Sequence, residues 1–416
     1  MNITGIIAEY NPFHNGHACQ LTQARKETNA DYIIIVMSGS FVQRGAPALL
    51  DKFTRAKMAL LEGADLVIEL PALWSTASAE YFAGAGVALL GQLGCVGTLC
   101  YGCETPSSDV YARISTILNN ETPQYRHLLS QALKTGSSYA LARENALLSL
   151  LPDADKAVAK DLLKNPNNIL ALEYQKAIAR EASTIRIHPI LRQGQGYHSG
   201  LFTDPFASAS AIRSFLSDHP ANGSQTLRQV MPDTAYQLLV DYERRYPFLY
   251  ENDCSQMLHY RLLQKASDGF SLYADCTTEL SNRICRNLND YIGFSDFCTL
   301  LKSKDIAYTR ISRVLLHILL DIRQSSYFHW RSHAYVPYAR ILGFRKESRN
   351  LLTYLKKHSS IPFLTRASDA EKILSARDDL SFFQINLFAD NVYRALVTGK
   401  TCRKMSHELQ QQIVII

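Results

Sequence analysis

Short apolar runs alternate with helical patterns through the first hundred residues of this chain. The apolar runs are rich in β-branched residues and fall at residues 4–9, 31–37, 65–70 and 97–101. Segments with helical periodicity separate them, at residues 15–27, 50–62 and 78–93. Strands covered on both faces read as unbroken apolar runs, and parallel neighbours need a crossover helix between them. The pattern therefore predicts an α/β fold with a doubly wound parallel sheet, which binds ligands at the carboxyl ends of its strands.

The rest of the chain loses this alternation. Residues 107–182 show helical patterns only, and residues 183–189 form one more strand candidate. Helical patterns return from about residue 215, with loops at residues 220–224 and 359–362. A chain of 416 residues is expected to form more than one domain, at roughly 100 to 200 residues each. We predict a first domain at residues 1–215, with a helical insertion at about 107–182, and an α-helical region at residues 216–416.

The composition favours an intracellular location. No apolar run reaches the ~18 residues of a membrane-spanning helix, and Glu9 interrupts the N-terminal apolar stretch before a signal sequence forms. The nine cysteines are odd in number and scattered, which favours reduced thiols over a disulfide framework. Cys100 and Cys103 lack the second close pair that a zinc ribbon needs. We expect a cytoplasmic protein that does not cross a membrane.

Positive charge is concentrated in the last quarter of the chain. Residues 1–300 carry 25 Lys and Arg against 29 Asp and Glu, whereas residues 301–416 carry 19 against 9. Within residues 301–357 the cations alternate with aromatic residues such as Phe328 and Trp330. Cations bind phosphates and aromatic rings stack on unpaired bases, so the segment as a whole indicates nucleic-acid binding. For any single residue the alternative, a solvated helix with its aromatic residues in the core, stays open.

The sequence N-P-F-H-N-G-H at residues 11–17 follows the first predicted strand and opens the first predicted helix. Gly16 removes a side chain where a ligand approaches the backbone, and the helix start offers free N–H groups to an anion. His14 and His17 are placed to donate hydrogen bonds to phosphoryl oxygens as negative charge develops. A metal site is the alternative, but the zincin arrangement spaces its histidines i, i+4 on a helix.

These features resemble the nucleotidyltransferase superfamily with the H-x-G-H signature, and in detail the tRNA(Met) cytidine acetate ligase family. The similar segments are residues 5–17 (GIIAEYNPFHNGH), 37–47 (MSGSFVQRGAP), 52–60 (KFTRAKMAL), 63–71 (GADLVIELP), 167–174 (NNILALEY) and 208–213 (SASAIR). Looser similarity continues at residues 310–320 and 337–344, so the resemblance covers nearly the whole chain.

The superfamily implies a second phosphate-binding element, at a helix start after the last strand. Ser208 and Ser210 fit that place, with Arg213 on the first turns of the helix. Hydroxyl groups and a guanidinium suit the β- and γ-phosphates of a nucleoside triphosphate, although serines at a helix start are also ordinary caps. Residues 404–406 (KMS) are interpreted as a chance match to the K-M-S-K-S loop of class I aminoacyl-tRNA synthetases.

The family resemblance implies an enzyme that makes acetyl-adenylate from ATP and acetate and releases pyrophosphate. The acetyl group then passes to N4 of the wobble cytidine 34 of elongator tRNA(Met), which gives N4-acetylcytidine. Residues 1–215 become the ATP-binding domain and residues 216–416 a basic tRNA-binding region. Mg²⁺ is expected because triphosphate charge needs neutralising, although no dedicated metal ligands are visible in the sequence.

The resemblance also implies which residues form the site. His14 and His17 are expected to be catalytic, together with Lys52, which with Arg55 and Lys57 is expected to line the acetate and triphosphate pocket. ATP is expected to contact Gly102, Asn167, Arg192 (before a glycine-rich turn at 193–197), Ser208, Ser210, Arg213 and the loop residues Ile7, Ala8, Glu9, Tyr10, Asn11, Pro12, Phe13, His14, Asn15, Gly16, His17, Ala18, Cys19 and Gln20. Contacts with tRNA are expected at Arg310, Arg313, Arg340 and Arg345.

Two other functions stay open at this point. A small-molecule adenylyltransferase of cofactor biosynthesis is one, but it leaves the basic, aromatic last quarter of the chain without a purpose. A non-catalytic tRNA-binding protein on the same scaffold is the other, and the intact His14, Gly16 and His17 argue against it.

Overall fold

The computed structural model describes residues 1–136, 139–181, 183–192, 205–219, 226–374 and 379–416. The loop predicted at residues 220–224 and the glycine-rich turn at 193–197 lie outside these ranges. The strands are β1 (Ile3–Ala8), β2 (Tyr32–Ser38), β3 (Phe41–Val42), β4 (Ala46–Pro47), β5 (Leu66–Leu70), β6 (Thr98–Cys103), β7 (Arg186–Leu191), β8 (Ala339–Phe344), β9 (Phe363–Leu364) and β10 (Val414–Ile415).

The main sheet has the strand order β10-β8-β5-β2-β1-β6-β7, with β9 paired to β8, while β3 and β4 form a separate hairpin. Strands β5, β2, β1, β6 and β7 are parallel to one another, and β8 is antiparallel to β5. The fold class is therefore confirmed as mixed α/β with a mostly parallel sheet. The chain adds β2 and β5 on one side of β1 and then returns to add β6 and β7 on the other. This reversal makes the gap between β1 and β6 the topological switch point, where ligands of such sheets bind.

The helices of the N-terminal half connect these strands. They are α1 (Asn15–Glu27), α2 (Lys52–Leu61), α3 (Ala72–Ser75), α4 (Ala79–Gln92), α5 (Ser108–Asn120), α6 (Pro123–Lys134), α7 (Tyr139–Leu150), α8 (Asp153–Leu162), α9 (Pro166–Arg180) and α10 (Ala209–Asp218). Helices α5 to α9 form the predicted insertion between β6 and β7. In the part of the chain that the structure describes, no helix is both long and apolar enough to cross a membrane.

The C-terminal half is mostly helical, as predicted, but it also contributes strands. Its helices are α11 (Asp233–Arg245), α12 (Ser255–Lys265), α13 (Thr278–Arg286), α14 (Phe294–Leu301), α15 (Tyr308–Leu319), α16 (Gln324–Ser332), α17 (Arg349–His358), α18 (Ala370–Leu374) and α19 (Asp379–Thr401). Strand β8 differs from the purely helical prediction because it covers the edge of β5, with Leu66 opposite Phe344. The sheet thus spans both predicted regions, and a boundary at residue 215 stays a prediction.

The buried side chain of Arg55 on α2 ties together the carboxyl ends of the two central strands. Its guanidinium donates hydrogen bonds to the backbone oxygens of Glu9 (2.7 Å) and Ser38 (3.0 Å), and also to those of Gly39 and Leu50. Glu9 follows β1 directly and Ser38 ends β2. Charged donors thereby satisfy strand-end carbonyls that lie out of reach of water. The guanidinium of Arg55 thus bonds to the protein's own backbone, and its expected place in the acetate and triphosphate pocket stays a prediction.

Lys52, at the start of α2, lies in a buried group of charges. Its ammonium nitrogen is 2.9 Å from Glu69 Oε1, 2.7 Å from Asp390 Oδ2 and 3.3 Å from Glu408 Oε2. The guanidinium of Arg340 is 2.9 Å from Glu408 Oε1, and its side chain is only 2% exposed. We call these five residues the Lys52 cluster. Lys52 is paired with buried carboxylates and Arg340 is itself buried, so the structure gives both a structural role. Their expected roles in the substrate pocket and in tRNA binding stay predictions.

The Lys52 cluster holds more potential negative than positive charge. Burial raises the pKa of Asp390 to about 7, and the carboxylates of Glu408 and Glu69 add to this shift while Lys52 opposes it. The ammonium of Lys52 and the guanidinium of Arg340 compensate much of this negative charge. The cluster joins α2 and β5 to β8, α19 and the tail that follows α19, so it fastens the two halves of the chain together.

Removal of the central ammonium is expected to destabilise the fold. Lys52→Ala should lower the free energy of unfolding by about 3–5 kcal/mol, because it leaves buried carboxylates without a compensating charge. Lys57→Ala, at an exposed position of the same helix, is the control and should change it by less than about 0.5 kcal/mol. Urea unfolding followed by circular dichroism measures both values. A similar effect of the two substitutions would contradict the structural role of Lys52.

Candidate active site

His14 and His17 are held by the backbone at the start of α1. His14 caps the helix: its Nδ1 accepts a hydrogen bond from the Gly16 amide at 3.1 Å. The Nδ1 of His17 in turn accepts from the His14 amide at 3.3 Å. The two rings stack with their centroids 3.7 Å apart. Because each Nδ1 is an acceptor, each neutral ring carries its proton on Nε2 and keeps an Nε2–H donor for a ligand.

Both imidazoles are neutral at physiological pH. Burial lowers the pKa of His14 to about 3, and the positive charges of Arg192 and Arg213 contribute to the shift. Burial also lowers the pKa of His17 well below its usual value, with smaller contributions from His14 and Arg192. Neutral rings with free Nε2–H groups suit hydrogen bonding to an anion and do not suit proton transfer to a leaving group.

Gly16 is required by the ring of His14. A Cβ atom at residue 16 would lie 2.9 Å from His14 Cε1 and 3.1 Å from its Nδ1. Real Cβ atoms essentially never come within 3.0 Å of another heavy atom, so any larger residue displaces the ring. The sequence suggested that this glycine makes room for a ligand. The structure adds that it makes room for the ring of His14 itself.

The loop between β1 and α1 is fixed from several sides. Asn15 donates through its side-chain amide to the backbone oxygens of Pro205 (3.0 Å) and Gln229 (3.1 Å). Asn11 Oδ1 accepts from the Leu49 amide at 2.7 Å. Tyr10, with a left-handed φ of 49°, packs edge-on against Phe13 and His17. Predicted contact residues of this segment such as Ile7, Tyr10 and Phe13 are buried, so their side chains support the loop.

A cleft of about 440 Å³ opens at the switch point in front of this loop. Its lining contains many of the predicted nucleotide contacts: His14, Gly16, His17, Cys19, Gln20, Gly102, Asn167, Arg192 and Ser208. It also contains residues that the sequence did not single out: Gln23, Glu104, Asn165, Ile190, Leu191, Phe206 and Ala207. The structure thus brings together residues from the first helix, from the ends of β6 and β7, from the start of α9 and from the segment before α10.

The far wall of the cleft is built at the ends of β6 and β7. Gly102 leaves room for the side chain of Arg192, whose Cγ would lie 3.2 Å from a Cβ at residue 102. Asn167 donates a hydrogen bond of 2.5 Å to Glu104 Oε1, and Arg192 Nε lies 3.7 Å from the same oxygen. The buried Asn168 accepts from the amide of Glu104 at 2.8 Å and so holds the loop after β6 against α9.

The predicted phosphate-binding helix start lies beside the histidine loop. Ser208 caps α10 by accepting from the Ala211 amide at 3.2 Å. Arg213 donates to the backbone oxygen of Asn11 at 2.6 Å and to Ser210 Oγ at 3.2 Å. Arg213 therefore links α10 to the loop after β1, while Ser208 faces the cleft.

The arginines predicted to bind tRNA are dispersed. Arg310 donates to the backbone oxygen of Asp275, and Arg313 forms an ion pair with the same residue at 3.1 Å. Both belong to α15, whose backbone packs against the tip of the β3–β4 hairpin at Gly45. Arg345 lies at the opposite edge of the sheet, where its amide donates to the oxygen of Asp65, just before β5. The set therefore does not form one surface.

A strand, an H-x-G-H turn and a helix at the switch point of a mostly parallel sheet define a nucleotidyltransferase. Residues 1–408 match the family described as HIGH Nucleotidyl Transferase. Curated relatives from Clostridium perfringens (38% identity, 95% of this chain and 96% of the relative) and Clostridium kluyveri (40% identity, 88% and 90%) are both named tRNA(Met) cytidine acetate ligase. The chain belongs to the tRNA(Met) cytidine acetate ligase family.

Solved structures agree with this assignment. The chain is similar over its whole length to the crystal structure of Thermotoga maritima TmcAL bound with α-thio-ATP, with a TM-score of 0.90, 28% identity and full coverage of both chains. It matches the apo form of the same protein with a TM-score of 0.92.

The paired rings of His14 and His17 should not titrate near neutral pH. Side-chain ¹⁵N spectra, assigned with His14→Gln and His17→Gln, should show both rings as neutral Nε2–H tautomers from pH 5 to pH 8. The physical reason is that burial disfavours the imidazolium form. A titration of either ring close to pH 6.5, or an Nδ1–H tautomer, would show that the hydrogen-bond pattern described above is incorrect.

Proposed function

We propose that this chain is an ATP-dependent ligase that acetylates N4 of the wobble cytidine 34 of elongator tRNA(Met), with free acetate as the acetyl source. The observation that carries the proposal is the stacked, neutral His14–His17 pair at a helix start, within a chain of this ligase family. Because tRNA is the acceptor, we further propose that the enzyme acts in the cytoplasm.

In the first step, a carboxylate oxygen of acetate attacks the α-phosphorus of ATP. The bond from this phosphorus to the bridging oxygen breaks, and pyrophosphate leaves with both bonding electrons. Acetate is already anionic at neutral pH, so the step needs no general base. The Nε2–H groups of His14 and His17 and the N-terminus of α1 stabilise the charge that builds on the phosphoryl oxygens.

The lining of the cleft favours one orientation of a bound nucleoside triphosphate. The phosphates lie best near the start of α1, where donors and the helix dipole face them, with Ser208, Ser210 and Arg213 on the neighbouring helix start. The nucleoside then extends towards Gly102, Asn167 and Arg192 at the ends of β6 and β7. In this arrangement the segment Ile7–Gln20 contacts ATP mainly through its backbone and the two histidines.

In the second step, N4 of the cytidine attacks the carbonyl carbon of acetyl-adenylate. The carbon–oxygen bond to the phosphate breaks, AMP leaves, and N4 loses one proton. Positioning of the two reactants by the enzyme supplies much of the acceleration, as in other reactions between bound substrates.

Magnesium is proposed to enter with ATP. Within the described ranges, the group of acidic side chains close enough to share an ion is Glu69, Asp390 and Glu408, and the ammonium of Lys52 already lies among them. These residues do not suit a cation. Mg²⁺ prefers triphosphate oxygens and water to an all-protein cage, so the nucleotide itself is the more suitable ligand.

We propose that the tRNA is bound on the side of the sheet where the cleft opens. Arg44 is exposed at the tip of the β3–β4 hairpin and has no ion pair among the residues that are described. The hairpin packs on α15, where Ser312 donates to the oxygen of Gly45 at 3.0 Å, so Arg44 and Arg310 belong to one region. Arg345 is separated from them by the length of β5, about 17 Å at ~3.3 Å per residue.

The proposal is tested by measuring pyrophosphate release while ATP, acetate and tRNA are each left out in turn. Release should need ATP and acetate, and N4-acetylcytidine should form only when all three are present. Acetyl-coenzyme A without ATP should give no product. Release that does not depend on acetate would favour a small-molecule adenylyltransferase. Binding of tRNA without any turnover would favour a non-catalytic protein.

The histidine pair should be essential for activation but not for RNA binding. His14→Ala and His17→Ala should each slow acetyl-adenylate formation about a hundredfold or more, since one such donor contributes ~3 kcal/mol to the transition state. His127→Ala, at an exposed position on α6, is the control and should be neutral. Affinity for tRNA, measured by filter binding, should be unchanged in all three. Near-normal activation in a variant that carries both His14→Ala and His17→Ala would refute the role of the pair.

Charge reversal should locate the tRNA surface. Arg44→Glu and Arg310→Glu should weaken tRNA binding and flatten its salt dependence, because each lost phosphate contact removes about 0.7 to 0.9 from the slope of log K against log salt. Arg345→Glu is the control at the opposite edge and should have a smaller effect. Acetyl-adenylate formation without tRNA should persist in all three variants. A larger effect of Arg345→Glu would place the RNA elsewhere.

A further inference from the structure

Among the described residues that line the cleft, Glu104 is the one carboxylate. It directly follows β6. Its Oε1 accepts from Asn167 at 2.5 Å and lies 3.7 Å from Arg192 Nε. Its Oε2 is buried and has no hydrogen-bond partner within the described part of the chain. A charged acceptor that is held in place yet lacks a donor is unfavourable, so this oxygen is expected to meet a donor on a ligand.

The position of Glu104 indicates which group of a bound ligand would donate a hydrogen bond to it. It lies at the end of β6 beside Gly102, across the switch point from the histidine pair. A phosphate in that place would meet a carboxylate and be repelled. The nucleoside end of ATP offers two hydroxyl donors on neighbouring ribose carbons, which suit a carboxylate oxygen.

We propose that Glu104 binds the ribose of ATP, with Oε2 accepting hydrogen bonds from the 2′- and 3′-hydroxyls. The inference rests on the proposed function, because it takes the nucleotide to lie in this cleft. Asn167 and Arg192 then act on the nucleotide partly through Glu104: Asn167 donates to Oε1 and Arg192 pairs with it, which leaves Oε2 to accept from the sugar. The site selects ribonucleotides over deoxyribonucleotides at the activation step.

Glu104→Gln is a sharp test because the two side chains have the same shape. Asn167 and Arg192 both present donors, so they favour the amide orientation with its oxygen towards them. The NH₂ group of the glutamine then faces the sugar and cannot accept from a hydroxyl. Glu121→Gln, an exposed substitution on the helical insertion, is the matched control.

The measurement is kcat/KM for acetate-dependent pyrophosphate release with ATP, 2′-deoxy-ATP, 3′-deoxy-ATP and 2′,3′-dideoxy-ATP. Glu104→Gln should lower the value for ATP about ten- to a hundredfold, the usual effect of a lost hydrogen bond to a charged group. It should change the value for dideoxy-ATP less than about threefold. The wild-type enzyme should itself lose about tenfold or more on the deoxy analogues. Thermal unfolding should be similar for the wild type and both variants.

Each contrary outcome has a separate meaning. A wild-type enzyme that uses the deoxy analogues as well as ATP overturns the ribose contact, whether or not the variant folds. Equal losses of Glu104→Gln on ATP and dideoxy-ATP also overturn it, as does rescue of the variant by Mn²⁺, which would make Glu104 a metal ligand. A wild-type enzyme that releases no pyrophosphate from ATP and acetate refutes the proposed function instead.

Discussion

The guanidinium of Arg55 fixes the edge of the sheet on which the active site is built. One buried side chain donates to the carbonyl that follows β1, to the carbonyls of Ser38 and Gly39 at the end of β2, and to that of Leu50, two residues before α2. The loop with His14 and His17 begins two residues beyond Glu9, so its departure from the sheet is set by these bonds. Loss of the donors would leave several buried carbonyls unpaired at once, each with an unfavourable contribution of ~1–3 kcal/mol. The histidine geometry therefore depends on a buried residue whose hydrogen bonds all go to the backbone.

The fold was predictable wherever local pattern decides it. Helix α1 has the bounds that its periodicity predicted, and β1, β2, β5 and β6 lie within two residues of the apolar runs. Strand β8 was not predicted, because a short, mostly apolar segment among helices suits a helix or a strand equally well. The exposed edge of β5 makes it a strand, and that partner lies more than 250 residues earlier in the sequence.

In the candidate site, too, features set by neighbouring residues were predictable, and features set by distant residues were not. The H-x-G-H turn was recognisable because a strand, a glycine turn and a helix start are adjacent in the sequence. The buried ion pairs of Lys52 and Arg340 were not predictable because a positive charge says nothing about its partner, and Asp390 is 338 residues from Lys52. Glu104 was missed for a related reason. Its orientation depends on Asn167 and Arg192, which only the fold brings to it.

The Lys52 cluster can form only late during synthesis of the chain on the ribosome. Lys52 and Asp390 are 338 positions apart, and a ribosome adding about 5 to 20 residues per second needs roughly 20 to 70 s to cover that distance. During this time Glu69 and Lys52 lack their later partners, and the edge of β5 that β8 will cover is open. An uncovered strand edge pairs readily with other chains. Nascent chains of this protein therefore expose the edge of β5 from the time β5 is made until β8 emerges.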